Sequence, residues 1–221
     1  ATGVVIHYYL KNVTDSTKLS IAVMDKNNKL IKTFATSSKE NKIEVKSGLN
    51  QFVWDMNHPE AERVDGLILW NGFVRGPKAA PGEYTARFRN GIDSADVKFT
   101  ILGDPNYKIT NEEYAEQVDF LLSVRDKFTA VIKGLKNIKD IRQQLTDITG
   151  RVGKAIPREL KEKMDTINKQ LTAIEEALHQ TKAKSSQDVL NYPIRLDDKI
   201  ASVYNAAAAG NTPPSRQAKE A

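Results

Sequence analysis

The sequence predicts an α+β protein of more than one domain, an N-terminal Ig-like antiparallel β-sandwich over 1–103 followed by an antiparallel helical bundle over 104–221. Two observations carry this. Up to about Leu102 the apolar residues alternate with a period of two and are broken by turn residues, whereas beyond it they recur at steps of three and four. The change falls at Gly103-Asp104-Pro105, where proline disfavours helix before it and withdraws a sheet donor.

The strands follow in order. Val4-Val5-Ile6 opens an apolar stretch that carries His7. Leu19-Ser20-Ile21-Ala22-Val23 and Leu30-Ile31-Lys32-Thr33-Phe34 form a hairpin, with Asn27-Asn28 accepting the positive φ of a tight turn. Gln51-Phe52-Val53-Trp54 is a further strand. Glu83-Tyr84-Thr85-Ala86-Arg87-Phe88-Arg89 meets Asn90-Gly91, a strong hairpin signal, and returns through Asp96-Val97-Lys98-Phe99-Thr100-Ile101. Spacing of this kind suggests about seven strands in a sandwich. Residues 58–80 are richer in Gly and Pro and also hold Trp70 and Phe73. They read as an irregular excursion that packs back onto the sandwich, with a short strand around 67–70.

The helices begin with Thr110-Asn111-Glu112-Glu113, an N-cap followed by acids that the helix dipole favours. Leu121, Val124, Phe128, Val131, Leu135 and Ile138 make the first seam; Leu145 and Ile148 continue it past Arg142. Leu160, Met164, Ile167, Leu171, Ile174 and Leu178 make a heptad seam in the second helix. The expected helices cover about 111–149, 157–183 and 195–209, and 216–221 reads as the start of a fourth. The first two form an antiparallel hairpin about Gly150, Gly153 and Pro157. A two-helix seam leaves apolar surface uncovered, so a stripe left open over 115–180 would mark oligomerisation through the helices.

Composition excludes several functions. The 33 basic and 28 acidic residues give +5, split as 14 against 11 over 1–103 and 19 against 17 over 104–221. So thin an excess, spread over both halves, does not make a nucleic-acid surface. Lys133, Lys136, Lys139 and Arg142 read as a solvated helix stripe rather than a phosphate track. Cysteine is absent, which removes disulfides, thiolate metal sites and cysteine nucleophiles. No apolar run is long enough to span a membrane. Ala1, with no initiator Met and no signal-peptide pattern after it, reads as the start of a processed product or an excised piece.

The search for chemistry is equally restrictive. His7, His58 and His179 form no HExxH and no pair at i, i+4, so no helical zinc site is expected, and each reads as a surface or capping histidine. Phosphate-binding glycine loops and the GxSxG elbow are missing, so no cofactor and no catalytic residue is assigned. Asn12-Val13-Thr14 matches a glycosylation sequon of a length that arises readily by chance. The most site-like group is Asp55, Glu60, Glu62 and Asp65 beside Trp54, His58 and Trp70. Carboxylates beside aromatic rings suit a sugar surface, and two at a fixed separation would suit glycoside hydrolysis. The plainer reading places the rings in the core and the acids in solvent. Carbohydrate contact, if present, falls to Trp54, Trp70, Phe73, Asp55 and Asp65.

Several stretches carry a resemblance. Phe52-Val53-Trp54-Asp55-Met56 with Pro59, Gly76-Pro77 and Ala80-Pro81-Gly82-Glu83-Tyr84-Thr85-Ala86-Arg87 resemble the Ig-like sandwich of flagellar hook-capping proteins. Gly3-Val4-Val5-Ile6-His7-Tyr8-Tyr9-Leu10, Asn50-Gln51-Phe52-Val53-Trp54-Asp55 and Asp188-Val189-Leu190-Asn191-Tyr192-Pro193-Ile194-Arg195-Leu196 look like the C-terminal region of large secreted bacterial proteins. Those proteins carry sortilin-type or BNR-repeat β-propellers and are labelled glycosyl hydrolases. The resemblance covers 1–215. It implies a secreted, periplasmic or extracellular location, upstream propeller domains as partners, and any hydrolytic site on those propellers. No catalytic residue of that family maps here. The function it implies is an accessory segment that docks to a domain or partner, with a carbohydrate-binding module and a hydrolase using the 55–65 acids as alternatives.

Overall fold

The computed structural model describes residues 3–221, with only the backbone of Lys154. It is α+β, with antiparallel sheets followed by helices. The strands are β1 (Val4–Leu10), β2 (Leu19–Asp25), β3 (Leu30–Ala35), β4 (Gly48–Trp54), β5 (Gly82–Asn90) and β6 (Asp93–Ile101). The helices are α1 (Asn111–Val152), α2 (Arg158–Leu178), α3 (Leu196–Ala208) and the short α4 (Arg216–Glu220), with 3-10 turns at Gly153–Ala155 and Ser186–Leu190. The chain divides into two compact units. One holds Ala1–Pro59, Gly76–Asp119 and Asn211–Pro213; the other holds Glu60–Arg75, Phe120–Gly210 and Pro214–Ala221.

The first unit is a two-layer sandwich. One sheet pairs β1 with β4, and the other runs in the order β3-β2-β5-β6. Alternation along each strand sends one face inward. Ile6, Phe52 and Trp54 come from the first sheet, and Leu19, Ile21, Val23, Ile31, Tyr84, Ala86 and Phe88 from the second, into one core. Trp54 is fully buried, with Tyr84 and Phe99 at ring-centroid distances of 5.8 and 6.2 Å and its indole N–H donating to the Asn57 carbonyl at 3.3 Å. Such tilted aromatic contacts add to area burial. Asn28 sits at φ 60° between β2 and β3, as that turn demands, and Gly91 at φ 63° turns β5 into β6. At Gly76 a Cβ would lie 1.7 Å from the His58 carbonyl oxygen, so only glycine lets the two strands of chain approach there.

The second unit is helical, but not purely so. Its core joins Leu121, Val124, Phe128, Val131, Ile132 and Leu135 of α1, Ala201, Tyr204 and Ala207 of α3, and Ala61, Leu69 and Val74 of the excursion. The excursion therefore packs on helices through 60–75, and not on the sandwich as its position in the chain suggested. The expected strand at 67–70 is also absent. The N–H groups of Trp70 and Asn71, which a sheet would pair with carbonyls, donate instead to the Asp198 carboxylate at 3.1 and 2.9 Å. With that strand gone, six strands remain of the seven expected.

The α2 seam is split. Met164 and Leu171 are buried, while Leu160, Ile167 and Ile174 stay 41%, 38% and 51% exposed. Burial also pushes the Tyr204 phenol up to about 12, against a slight opposing pull from Arg125.

Phe128 is fully buried at the centre of this core. Phe128→Ala is expected to destabilise the helical unit by about 3–5 kcal/mol. Chemical denaturation followed by far-UV circular dichroism measures this; a loss under 1 kcal/mol would remove Phe128 from the centre.

Candidate functional site

The groups with most chemical content gather in the helical unit at the N-terminus of α3. Leu196 begins that helix after Pro193, and Asp197 and Asp198 fall in its first turn, where exposed helix N–H groups favour negative charge. Both acids are buried, 1% and 5% exposed. Buried carboxylates demand partners, and these have them. Asp198 takes the Trp70 and Asn71 N–H groups on its two oxygens, and the Asn71 side-chain amide donates to the Asp198 carbonyl at 3.2 Å. From α3, Asn205 donates to the Asn71 carbonyl at 2.9 Å. The tip of the excursion is thereby pinned to α3.

Asp197 turns the other way. Its Oδ2 lies 2.6 Å from Nδ1 of His179, and its Oδ1 accepts the Asp198 N–H at 2.8 Å. His179 is the C-cap of α2, so the pair ties the end of α2 to the start of α3. Beside it, Gln180 donates to the Pro193 carbonyl at 2.8 Å and accepts the Lys182 N–H. An Asp–His pair is also part of hydrolytic triads, but a triad needs a hydroxyl on the second imidazole nitrogen. None is hydrogen-bonded there among the described residues. The nearby Ser185 is occupied in the capping box that starts the Ser186–Leu190 turn.

An open cleft of about 230 Å³ lies over this junction, lined by Ile68, Trp70, Ala183, Ser186, Val189 and Tyr192 among others, with Asp198 and Gln180 at its base. Ligand sites for drug-sized molecules run larger, roughly 300–1,000 Å³. Trp70 is 53% exposed at its edge and offers a ring face. One wall is held by Asp188, whose Oδ2 accepts the Lys184 and Ser185 N–H groups at 2.6 and 3.0 Å. Those two backbone donors keep its carboxyl below the ordinary aspartate range.

The residues singled out for carbohydrate divide between the units. Trp54 and Asp55 belong to the sandwich unit; Asp65, Trp70 and Phe73 belong to the helical unit. Trp54 has no exposed surface, so it presents no ring to a ligand, which corrects its selection. Asp55 is exposed and holds the turn after β4, accepting from the backbone and side chain of Asn57 at 3.0 Å each. Phe73 is half-buried, with the Arg63 guanidinium 5.0 Å from its ring centroid. Asp65 is exposed. The other excursion acids have ionic partners: Glu60 pairs with Arg63, and Glu62 with Lys133 and Lys136 at 3.2 and 2.8 Å. Those lysines lower the Glu62 carboxyl. Among the described residues no three His, Asp or Glu side chains gather as metal ligands would. Sequence reasoning missed the Asp197–His179 and Asp198–Asn71 links; the adjacent acids at a helix start were the only local signal for them.

With this geometry in place, comparisons were made with protein-family models, curated proteins and solved structures. None of the three found a match.

Two outcomes follow. Asp198→Ala leaves two N–H groups without acceptors at about 1–3 kcal/mol each, so the Trp70 and Asn71 amides should exchange much faster than in the parent chain; unchanged exchange would refute the pin. Asp188 has a depressed folded-state pKa, so its contribution is present above the unfolded value near 3.9 and is lost as pH falls through the folded one. Amide exchange at Lys184 and Ser185 should quicken below about pH 4, and Asp188→Asn should reproduce that at neutral pH.

Proposed function

We propose that this chain is a non-catalytic accessory segment that docks onto a neighbouring domain through the outward face of the β1–β4 sheet. One observation carries the reading. The inward face of that sheet fills the sandwich core, yet its outward face is also apolar. Val5 opposes Val53 and Tyr9 opposes Leu49, with His7 opposite Gln51 between them. Their exposures are 38%, 40%, 70% and 65% for Val5, Val53, Tyr9 and Leu49. Cross-strand pairs of this kind form one contiguous patch, and contiguous apolar surface marks interaction sites far more than isolated residues do.

The resemblance in the sequence supplies the neighbour: an upstream β-propeller of a secreted, glycosyl-hydrolase-like bacterial protein. On that reading the chain works outside the cytoplasm, and any hydrolysis belongs to the propeller. A second reading, carbohydrate binding, is favoured by Trp70 alone, which is half-exposed beside the cleft. The hydrolase alternative has less behind it, because Glu60 and Glu62 are engaged in ion pairs and Asp55 in a turn.

The test titrates this chain into the separately produced upstream propeller region by calorimetry. Saturable binding is expected, weakened at least tenfold by Tyr9→Glu with Leu49→Glu, while the thermal midpoint stays within a few degrees. No binding, or binding indifferent to that double change, would sink the docking reading. Saturable glycan binding abolished by Trp70→Ala would put the carbohydrate reading in its place.

A further inference from the structure

The outer part of the α1–α2 hairpin carries a second apolar surface, unrelated to the sandwich. Ile141, Ile148 and Val152 of α1 are 38%, 43% and 41% exposed, and Leu160, Ile167 and Ile174 of α2 match them. Residues seven apart return to within about 20° on a helix, so each trio forms one stripe. The two stripes lie on the same flank. Arg142 reaches across to Thr172 Oγ1 at 2.9 Å and Glu175 Oε2 at 2.6 Å on the opposite flank. Ile141 and Ile174 precede Arg142 and Glu175 by one residue, about 100° round each helix. Because the helices are antiparallel, that rotation turns both to the same side.

The Arg142 contacts also set the level of the rungs. Ile141 stands beside Ile174, Ile148 beside Ile167, and Val152 beside Leu160 next to the turn. The border of this flank carries Gln144, Gln170, Ala173 and Ala177, all uncharged. The opposite flank carries exposed Lys139, Lys161, Asp165, Lys169 and Glu176. Water suits the second flank and not the first.

We propose that this flank is a dimerisation face, on which the same flank of a second copy seats antiparallel to complete a four-helix bundle. The occupant follows from symmetry and charge. The rungs are evenly spaced about Ile148 and Ile167, so a two-fold axis there lays each outer rung on the opposite outer rung of the other copy. Asp140 and Arg151, both exposed, are eleven residues apart and share one line of α1. Asp140 lies by the Ile141 rung and Arg151 by the Val152 rung. An antiparallel copy brings Asp140 of each chain level with Arg151 of the other, twice. A parallel copy would set like charges against each other. An isologous contact of this kind closes on itself and stops at two. The face spans only three rungs, below the usual area of a tight interface, so the dimer is expected at high micromolar concentration. The proposal stands apart from docking by the sandwich, which uses other residues.

Sedimentation equilibrium on the full chain tests it. The weight-average mass should rise from 24.7 kDa towards twice that with concentration. Ile148→Gln with Ile167→Gln should hold it at the monomer. Asp140→Arg should weaken association several-fold, and adding Arg151→Asp should restore it. The chain has no cysteine, so Ile167→Cys on the axis should form a disulfide dimer under mild oxidation while Lys169→Cys on the other flank should not. A monomer at every concentration overturns the proposal, as does a dimer that survives the double glutamine change or cross-links only through position 169.

Discussion

The helical unit rests on a length of chain that is not helical. Phe128 and Ile132 are fully buried because Ala61, Leu69 and Val74 share the core with α1 and α3. Irregular chain in a core brings N–H and carbonyl groups that helices would have satisfied internally. Here two of those donors end on Asp198, and the Asn71 carbonyl ends on Asn205. The buried carboxylate is tolerable for the same reason: it has N–H donors in place of water. Removing either side of that exchange exposes the other to its full desolvation cost.

That exchange also explains why the region looks like a site and acts as a joint. Two buried aspartates, a histidine and a glutamine within one cleft are the raw materials of catalysis. Each is committed to a neighbour: Asp198 to the excursion, Asp197 to His179, Gln180 to Pro193. What remains free in the cleft is shape and the ring of Trp70. The surfaces with unmet physical demands lie elsewhere, on the β1–β4 sheet and on the hairpin, and both demands are for apolar cover.

Much of the architecture was legible because it depends on local period and turn chemistry. The β2–β3 and β5–β6 hairpins were marked by Asn28 and Gly91, whose left-handed backbone few residues accept. The long helices were marked by their heptads. The excursion was not legible, because nothing local tells Leu69 whether it meets a sheet or a helix, and a carboxylate 128 positions away decided how the Trp70 N–H is paired. Trp54 and Trp70 illustrate the same limit. Both looked equally available in the sequence; Trp54 sits inside a sandwich and Trp70 at a cleft edge, and only long-range packing separates them.

The path of the chain has a last consequence. Leaving the sandwich unit after Pro59 and rejoining it at Gly76 threads part of the helical core through the middle of the β sequence. No single cut can separate the two bodies with both intact. A polypeptide beginning after Gly103 would lack Ala61, Leu69 and Val74, and one ending there would carry them with nothing to bury them. Inheritance, expression and turnover must therefore treat the two bodies as a single item, despite their different architectures.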